Sequence, residues 1–329
     1  MNCEFKIIQK YFLPLTKGCK ASNALSDDVA LISLPSTKEL VISKDLMAED
    51  VHFKKSDGAY SIASKLLRTN LSDLASSGAK PLYYMLGFSQ NNNLNKNFVK
   101  EFCRGLKDVS DEFSLALIGG DSIRTQDKLC FSLTIFGEIA KGKSLKRNGA
   151  KVGDLIFVSG NIGDAFLGLQ LLQKKITCKN KIHQKYLINR HLHPSPRIDL
   201  GMELIKQNCK SAIDISDGFL ADLKHICETS NLDAVIEAKE IPISAATKFC
   251  LGENKNIDFD QLLAGGDDYE LIFSINKKDQ QKIINLAKKI NVKLTCVGHL
   301  QKAKSKPTIH LLGQNNQEIK ILQYGWQHY

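Results

Sequence analysis

Along the chain, short apolar and β-branched runs alternate with stretches in which apolar residues return every three or four positions. Residues 40–43, 83–87, 115–118 and 129–139 read as strands, and 29–32 as a further short one. Between them, 57–77 and 97–113 carry the helical period. Asp57 stands where an N-cap belongs, and Gly78 and Pro81 stand where the first helix would stop. From Gly149 the alternation starts again: strands at 155–159, 212–215, 234–237, 270–274 and 293–297, and helices at 162–174, 198–207, 217–229 and 277–290. The pattern predicts an α/β chain in two halves, 1–148 and 149–329, with the polar stretch 143–153 as the boundary. The triplets Leu71-Ser72-Asp73 and Gly119-Gly120-Asp121 are echoed by Ile215-Ser216-Asp217 and Gly265-Gly266-Asp267 at nearly equal separations. Two related half-folds or coincidence would each produce such an echo.

Composition narrows the class. A chain of 329 residues with 43% hydrophobic and 24% charged residues can bury an ordinary core. Its nine cysteines include no C-x-x-C pair, which points to free thiols in a reducing cytoplasm rather than to a disulfide or zinc scaffold. No signal peptide is expected at the N-terminus, and no apolar run approaches the about 18 residues of a membrane span. The net charge of +10 is spread over scattered lysines without interleaved aromatics, so neither nucleic acid nor a membrane is the expected partner.

One segment imitates a phosphate-binding loop. Gly137-Glu138-Ile139-Ala140-Lys141-Gly142-Lys143-Ser144 fits G-x-x-x-x-G-K-[ST] and follows a strand. The required helix should open at Lys143, yet the following residues hold Gly149 and Gly153 and lack helical periodicity. A P-loop NTPase stays as a rival class.

The sharper signal is a set of aspartates at element ends. Asp27 and Asp28 precede a short strand, and Asp45 follows one. Asp73 shares a helix face with Asn70, Asp121 follows Gly119-Gly120, Asp214 and Asp217 flank Ser216 at a strand-to-helix turn, and Asp267 and Asp268 follow Gly265-Gly266. A single such aspartate is ordinarily a turn residue or a cap. As a set at strand ends they converge where α/β proteins bind ligands, and converging carboxylates need cations. Magnesium, which takes carboxylate and phosphate oxygens, is the expected neutraliser, and a polyphosphate held through it the expected ligand.

At these residues the chain resembles the thiamine-monophosphate kinase family, of the ATP-binding superfamily that includes aminoimidazole ribonucleotide synthetase. The matching blocks are Ser26-Asp27-Asp28, Ser43-Lys44-Asp45 through Val51-His52-Phe53, Asn70-Leu71-Ser72-Asp73-Leu74-Ala75 and Gly119-Gly120-Asp121-Ser122 with Arg124. They continue with Arg147-Asn148-Gly149-Ala150, Arg190-His191-Leu192 with Pro194, Pro196 and Arg197, then 212–223, 265–271 and Gly325-Trp326. The resemblance implies a two-domain α/β fold of the α+β type, with mixed sheets packed with helices. It also implies a homodimer joined through the N-terminal halves, and transfer of the γ-phosphoryl of ATP to thiamine monophosphate. By it, Asp28, Ser43, Asp45, Asp73, Asp121, Asp214 and Asp217 would hold several magnesium ions. Gly120, Asp121, Arg147 and Ser216 would contact ATP, and His52, Asp267 and Trp326 the thiamine phosphate, with Asp121, Arg147 and Asp217 nearest the chemistry. On the residues alone, Arg147 reads equally as a linker surface charge, Trp326 as a packing residue and His52 as a strand histidine. The chain departs from the family at Ser26, Lys44, Asp50 and Asp267, where Gly, Thr, Gly and Glu are usual. Lys44 either replaces part of a metal's charge or points away. A relative with another acceptor is the remaining alternative.

Overall fold

The computed structural model describes residues 6–27, 29–91 and 94–326. The chain divides into two compact units. One runs to Leu74 and resumes over Ala79–Gly142, and the other comprises Ala75–Gly78 and Lys143–Tyr329. Both are mixed sheets packed with helices.

The first unit has strands β1 (Lys38–Ala48), β2 (Lys80–Gln90), β3 (Ala116–Arg124) and β4 (Cys130–Ala140), in spatial order β1-β4-β2-β3. β4 is antiparallel to β1 and β2, while β2 and β3 are parallel. Helices α1 (Ala59–Ser77) and α2 (Lys96–Glu112) cover one face. Leu66, Leu71, Phe102 and Leu106 meet Tyr84, Leu86, Phe131 and Leu133 there, all within 4% of full burial. The ring of Phe131 packs on Phe88 and Phe102 at 5.3 and 4.7 Å. The opposite face keeps Leu40, Ile42 and Leu46 of β1 and Ile123 of β3 exposed.

The second unit holds β5 (Asp154–Ser159), β6 (Ser211–Asp214), β7 (Leu232–Glu237), β8 (Leu271–Asn276), β9 (Leu294–Lys302), β10 (Ile309–Leu312) and β11 (Glu318–Ile319). Their order is β11-β10-β7-β9-β5-β8-β6, antiparallel except for β7 with β10. The helices are α3 (Asp164–Leu172), α4 (Lys181–Leu192), α5 (Ile198–Lys206), α6 (Phe219–Ser230), α7 (Ala245–Glu253), α8 (Phe259–Ala264) and α9 (Gln280–Ile290). Phe219, Leu220 and Leu223 of α6 pack on Ile213, Ile272 and Val297 of the sheet, while Leu167, Leu187, Cys250 and Leu262 form a second cluster among α3, α4, α7 and α8.

Several expectations are corrected. Among the described residues, 29–32 pair with no strand, and Val29 and Leu31 lie exposed at 65% and 77%. Their apolar character alone suggested a strand, but no ladder partner runs beside them. Asp57 caps a preceding 3-10 turn, its carboxylate accepting the Lys54 N–H, and Gly58 separates it from α1. The expected stop holds: α1 ends at Ser77, Gly78 follows with φ 78°, and Pro81 is already in β2. The triplet echo is not structural: Asp73 is mid-helix and Asp217 precedes a helix, while Asp121 is in a strand and Asp267 in a loop.

Candidate functional site

In the first unit, β1 is amphipathic with period two, so Ser43 and Asp45 share the helix-covered side and Lys44 the other. Ser43 Oγ donates to Asp73 Oδ2 at 2.5 Å, joining the strand to α1. Lys44 Nζ donates to Ser132 Oγ at 2.5 Å on the reverse face, so its charge lies away from Ser43 and Asp45. Beside Asp73, the buried Asn70 Oδ1 and Ser72 Oγ find no hydrogen-bond partner among the described residues. Such atoms ordinarily signal a missing polar ligand or water. Asp121 lies elsewhere. In the strand register it aligns with Gly87, Ser132 and Leu46, whereas Asp45 aligns with Leu133, Leu86 and Gly120. Gly120 is required by close approach, because a Cβ there would lie 2.1 Å from the Leu86 carbonyl oxygen. His52 sits in a tight turn after β1, and its Nδ1 accepts the Ala48 N–H at 3.1 Å. Asp28 lies outside the described residues.

In the second unit the strand-to-helix turn at 216–218 is gripped from every side. The Ser216, Asp217 and Gly218 N–H groups all donate to Asp222 Oδ2, at 3.0, 3.0 and 3.2 Å. The carbonyls of Ile215, Ser216 and Asp217 accept from the N–H groups of Tyr269, Asp267 and Trp326, at 2.8, 2.9 and 2.9 Å. Three predicted contacts, Ser216-Asp217, Asp267 and Trp326, are thus brought together by backbone hydrogen bonds. Gly266 permits the closeness, since a Cβ would stand 2.2 Å from the Ser216 oxygen. Trp326 is 59% exposed, so it is not a packing residue. Asp267 adopts a left-handed φ of 72°, and its Oδ2 lies 3.3 Å from His191 Nδ1. Arg147 opens a 3-10 turn of the second unit, and its carbonyl accepts the Ser211 and Ser230 hydroxyls at 3.1 and 3.2 Å. Its exposed side chain is carried by a pinned backbone rather than by a loose linker.

Sequence reasoning missed the layer behind this turn. Glu270, 1% exposed, accepts from Arg190 Nη2 at 2.9 Å, Arg197 Nε at 2.6 Å and Ser159 Oγ at 2.6 Å. Asp268 accepts the Gly163 and Ala165 N–H groups at the start of α3, and burial pushes its carboxyl up to about 8. Asp222 is also pushed up to about 8, by burial first and then by the charges of Asp214 and Asp217. The only sequence signal for Asp222 was an aspartate in the first turn after Gly218.

Each unit by itself offers oxygen donors of the kind magnesium takes: Ser43, Asp45 and Asp73 beside the orphaned Asn70 and Ser72 oxygens in the first, and Asp214 and Asp217 in the second. Among the described residues, no three His, Cys, Asp or Glu side chains gather as a complete cation cage. Oxygens from a bound phosphate would have to complete any coordination shell. The phosphate-loop imitation dissolves: 137–140 are β4 ladder residues, and after Lys143 comes the 3-10 turn Arg147–Gly149, not a helix.

A two-unit α/β fold with a carboxylate-rich turn defines a class, and family models for AIR synthase related protein match both parts, the N-terminal domain over 26–139 and the C-terminal domain over 151–310. The thiamine-monophosphate kinase of Buchnera aphidicola subsp. Schizaphis graminum is 38% identical over 99% of this chain and 98% of its own length. A crystal structure of thiamine-monophosphate kinase from Stenotrophomonas maltophilia superposes with TM-score 0.80 at 34% identity, covering 90% of this chain and 91% of that one. AaThiL complexed with AMPPCP and TMP superposes with TM-score 0.78 at 25% identity, covering 94% of each. The chain belongs to the thiamine-monophosphate kinase family.

Proposed function

We propose that the chain transfers the γ-phosphoryl group of ATP to the phosphate of thiamine monophosphate, giving thiamine diphosphate and ADP. The observation that carries the reading is the turn at 216–218, whose backbone is tied to Asp267 and Trp326. Residues proposed for the nucleotide end and the acceptor end are thereby fixed to one another. A relative complexed with AMPPCP and TMP supports the same pair of ligands.

The acceptor phosphate is mostly dianionic at neutral pH and needs little help from a base. The chain's task is to bring two polyanions into line. Asp28, Ser43, Asp45, Asp73, Asp121, Asp214 and Asp217 would hold magnesium, which supplies charge neutralisation and a bridge to the phosphates. Gly120, Ser216 and Arg147 would contact ATP, the last with a planar fork of donors. Trp326 offers an exposed ring face to the cationic thiazolium, and Asp267 and His52 would orient the acceptor. An acceptor oxygen attacks the γ-phosphorus, the bond to the β-phosphate oxygen breaks, and ADP leaves.

Phosphorus NMR of the protein with ATP, magnesium and thiamine monophosphate tests this. Thiamine diphosphate and ADP should form together, and neither should form with free thiamine or without magnesium. ATP consumed only with another acceptor would overturn the substrate. Lys143→Ala, at an exposed loop position outside any helix N-terminus, should leave nucleotide binding within about twofold by calorimetry. Loss of binding would restore the P-loop class.

A homodimer is part of the proposal. The apolar sheet face bearing Leu40, Ile42 and Leu46, exposed at 39%, 56% and 56%, is the surface a second copy would cover. Ile42→Lys should convert a dimer to a monomer in sedimentation velocity, and a wild-type monomer would refute the assembly. A cytoplasmic location accords with the free cysteines and with the absence, among the described residues, of any helix long and apolar enough to cross a membrane.

A further inference from the structure

We propose that Asp222 is a positioning residue, its buried carboxylate fixing the 216–218 turn so that Asp214 and Asp217 are presented to a cation. The inference rests on the proposed metal role of those two residues, and extends it to a side chain that would touch neither ion nor substrate.

Three consecutive backbone N–H groups aimed at one point make an anion-binding concavity. Here that concavity is filled by the chain's own carboxylate, since Ser216, Asp217 and Gly218 all donate to Asp222 Oδ2. Their N–H groups are therefore not available to a nucleotide phosphate. Any contact between this turn and a phosphate must run through the Ser216 hydroxyl or through a cation held by Asp214 and Asp217.

The geometry explains why a third acid belongs beside two others. Asp222 is 3% exposed, and its nearest charges are those of Asp214 and Asp217. Burying a third acid beside two others is costly even as a neutral carboxyl unless its oxygens are hydrogen-bonded, and here three N–H groups meet one of them. Asp222 completes the grip on the turn. The carbonyls of 215–217 are held from outside by Tyr269, Asp267 and Trp326, and the N–H groups are held from beneath by Asp222. With both edges of the backbone fixed, the Asp217 side chain has one origin and one direction. Outer groups that orient ligands in this way change metal affinity by about 10–100-fold when removed.

The test compares wild type, Asp222→Ala, Asp222→Asn and Asp233→Ala in the full chain. Manganese binding is followed by the electron paramagnetic resonance of the free aquo ion, with a non-hydrolysable ATP analogue present. Asp233 is a fitting control because it is equally buried in the same unit, accepts the Thr308 N–H, and lies outside the proposed site. Asp222→Ala should weaken manganese binding about tenfold or more. Asp222→Asn keeps an acceptor oxygen of the same shape and should recover most of that loss. Asp233→Ala should lower the melting temperature yet bind manganese within about twofold of wild type, as a destabilised but correctly built site does.

Equal affinity in wild type and Asp222→Ala would overturn the positioning role while leaving the metal site intact. Asp222→Asn as weak as Asp222→Ala would make Asp222 a direct ligand and overturn it as well. A wild-type protein that binds no manganese would overturn both this inference and the metal reading beneath it. If Asp222→Ala does not fold, Asp222→Asn against wild type decides: a loss of tenfold or more rejects positioning by an acceptor oxygen.

Discussion

Asp217→Asn should abolish turnover, by about 10³-fold or more, while the folded protein melts within a few degrees of wild type. The expectation follows from what the side chain does and does not hold up. The turn is built by its backbone: its N–H groups go to Asp222 and its carbonyls to Tyr269, Asp267 and Trp326. Among the described residues the Asp217 carboxylate makes no hydrogen bond to that framework, and an amide of the same shape leaves the framework standing. What disappears is a negative charge beside Asp214. Losing one preorganised electrostatic contact to a transferring group costs about 10²–10³-fold, and losing an ion with it costs more. A coupled ADP assay alongside thermal melting separates the two effects. A variant that keeps a tenth of its rate would remove Asp217 from the chemistry.

Glu270→Ala should lose about 3–5 kcal/mol of stability, measured by urea unfolding, because it strands two guanidinium groups in the interior. Arg190 and Arg197 are 10% and 21% exposed, and both close on the same carboxylate, which is 1% exposed. Ser159 loses its acceptor as well. A double replacement of both arginines by methionine in the Glu270→Ala background should restore part of the loss, since no buried charge is then left unpaired. A cost below about 1 kcal/mol for Glu270→Ala would mean that water reaches the site and the network is a surface feature.

Much of this architecture is legible in the residues. Alternation in β1 and β4 and the helical period of α2 and α6 locate those elements to within a few positions, because each has one face more buried than the other, while α1, with no exposed residue, is marked by its stop at Gly78. Helix α4 escaped because polar and apolar residues are mixed around it: Ile182 and Tyr186 are exposed while Arg190 and His191 are buried. Beside Leu187 it buries Arg190 and His191, which face Glu270 and Asp267, partners that no local pattern reveals. The short α7 escaped because it buries itself against neighbouring helices rather than a sheet, and α8 because it is a six-residue helix divided between the two clusters.

The site divides in the same way. Aspartates at element ends marked Asp214, Asp217 and Asp267, while Trp326 was marked only by the family resemblance. Their union depends on backbone hydrogen bonds across segments far apart in sequence, and a backbone amide looks the same at every residue. Strand alternation takes the Lys44 ammonium to Ser132, away from Ser43 and Asp45 and onto the face that bears Asp121.

The order in which strands are made has a bearing on how the molecule is born. The four-stranded sheet is complete once Ala140 has been synthesised. The seven-stranded sheet is not: β5, made early, waits for β8 and β9, its two ladder partners, more than a hundred residues downstream. Loops that long close slowly, and domains made first fold first. During translation the first sheet should therefore stand folded while β5, with Ile156, Phe157 and Val158 bare, remains an unpaired apolar strand. That interval is when the nascent chain is most exposed to chaperones and to aggregation, and faster synthesis of 160–300 would shorten it.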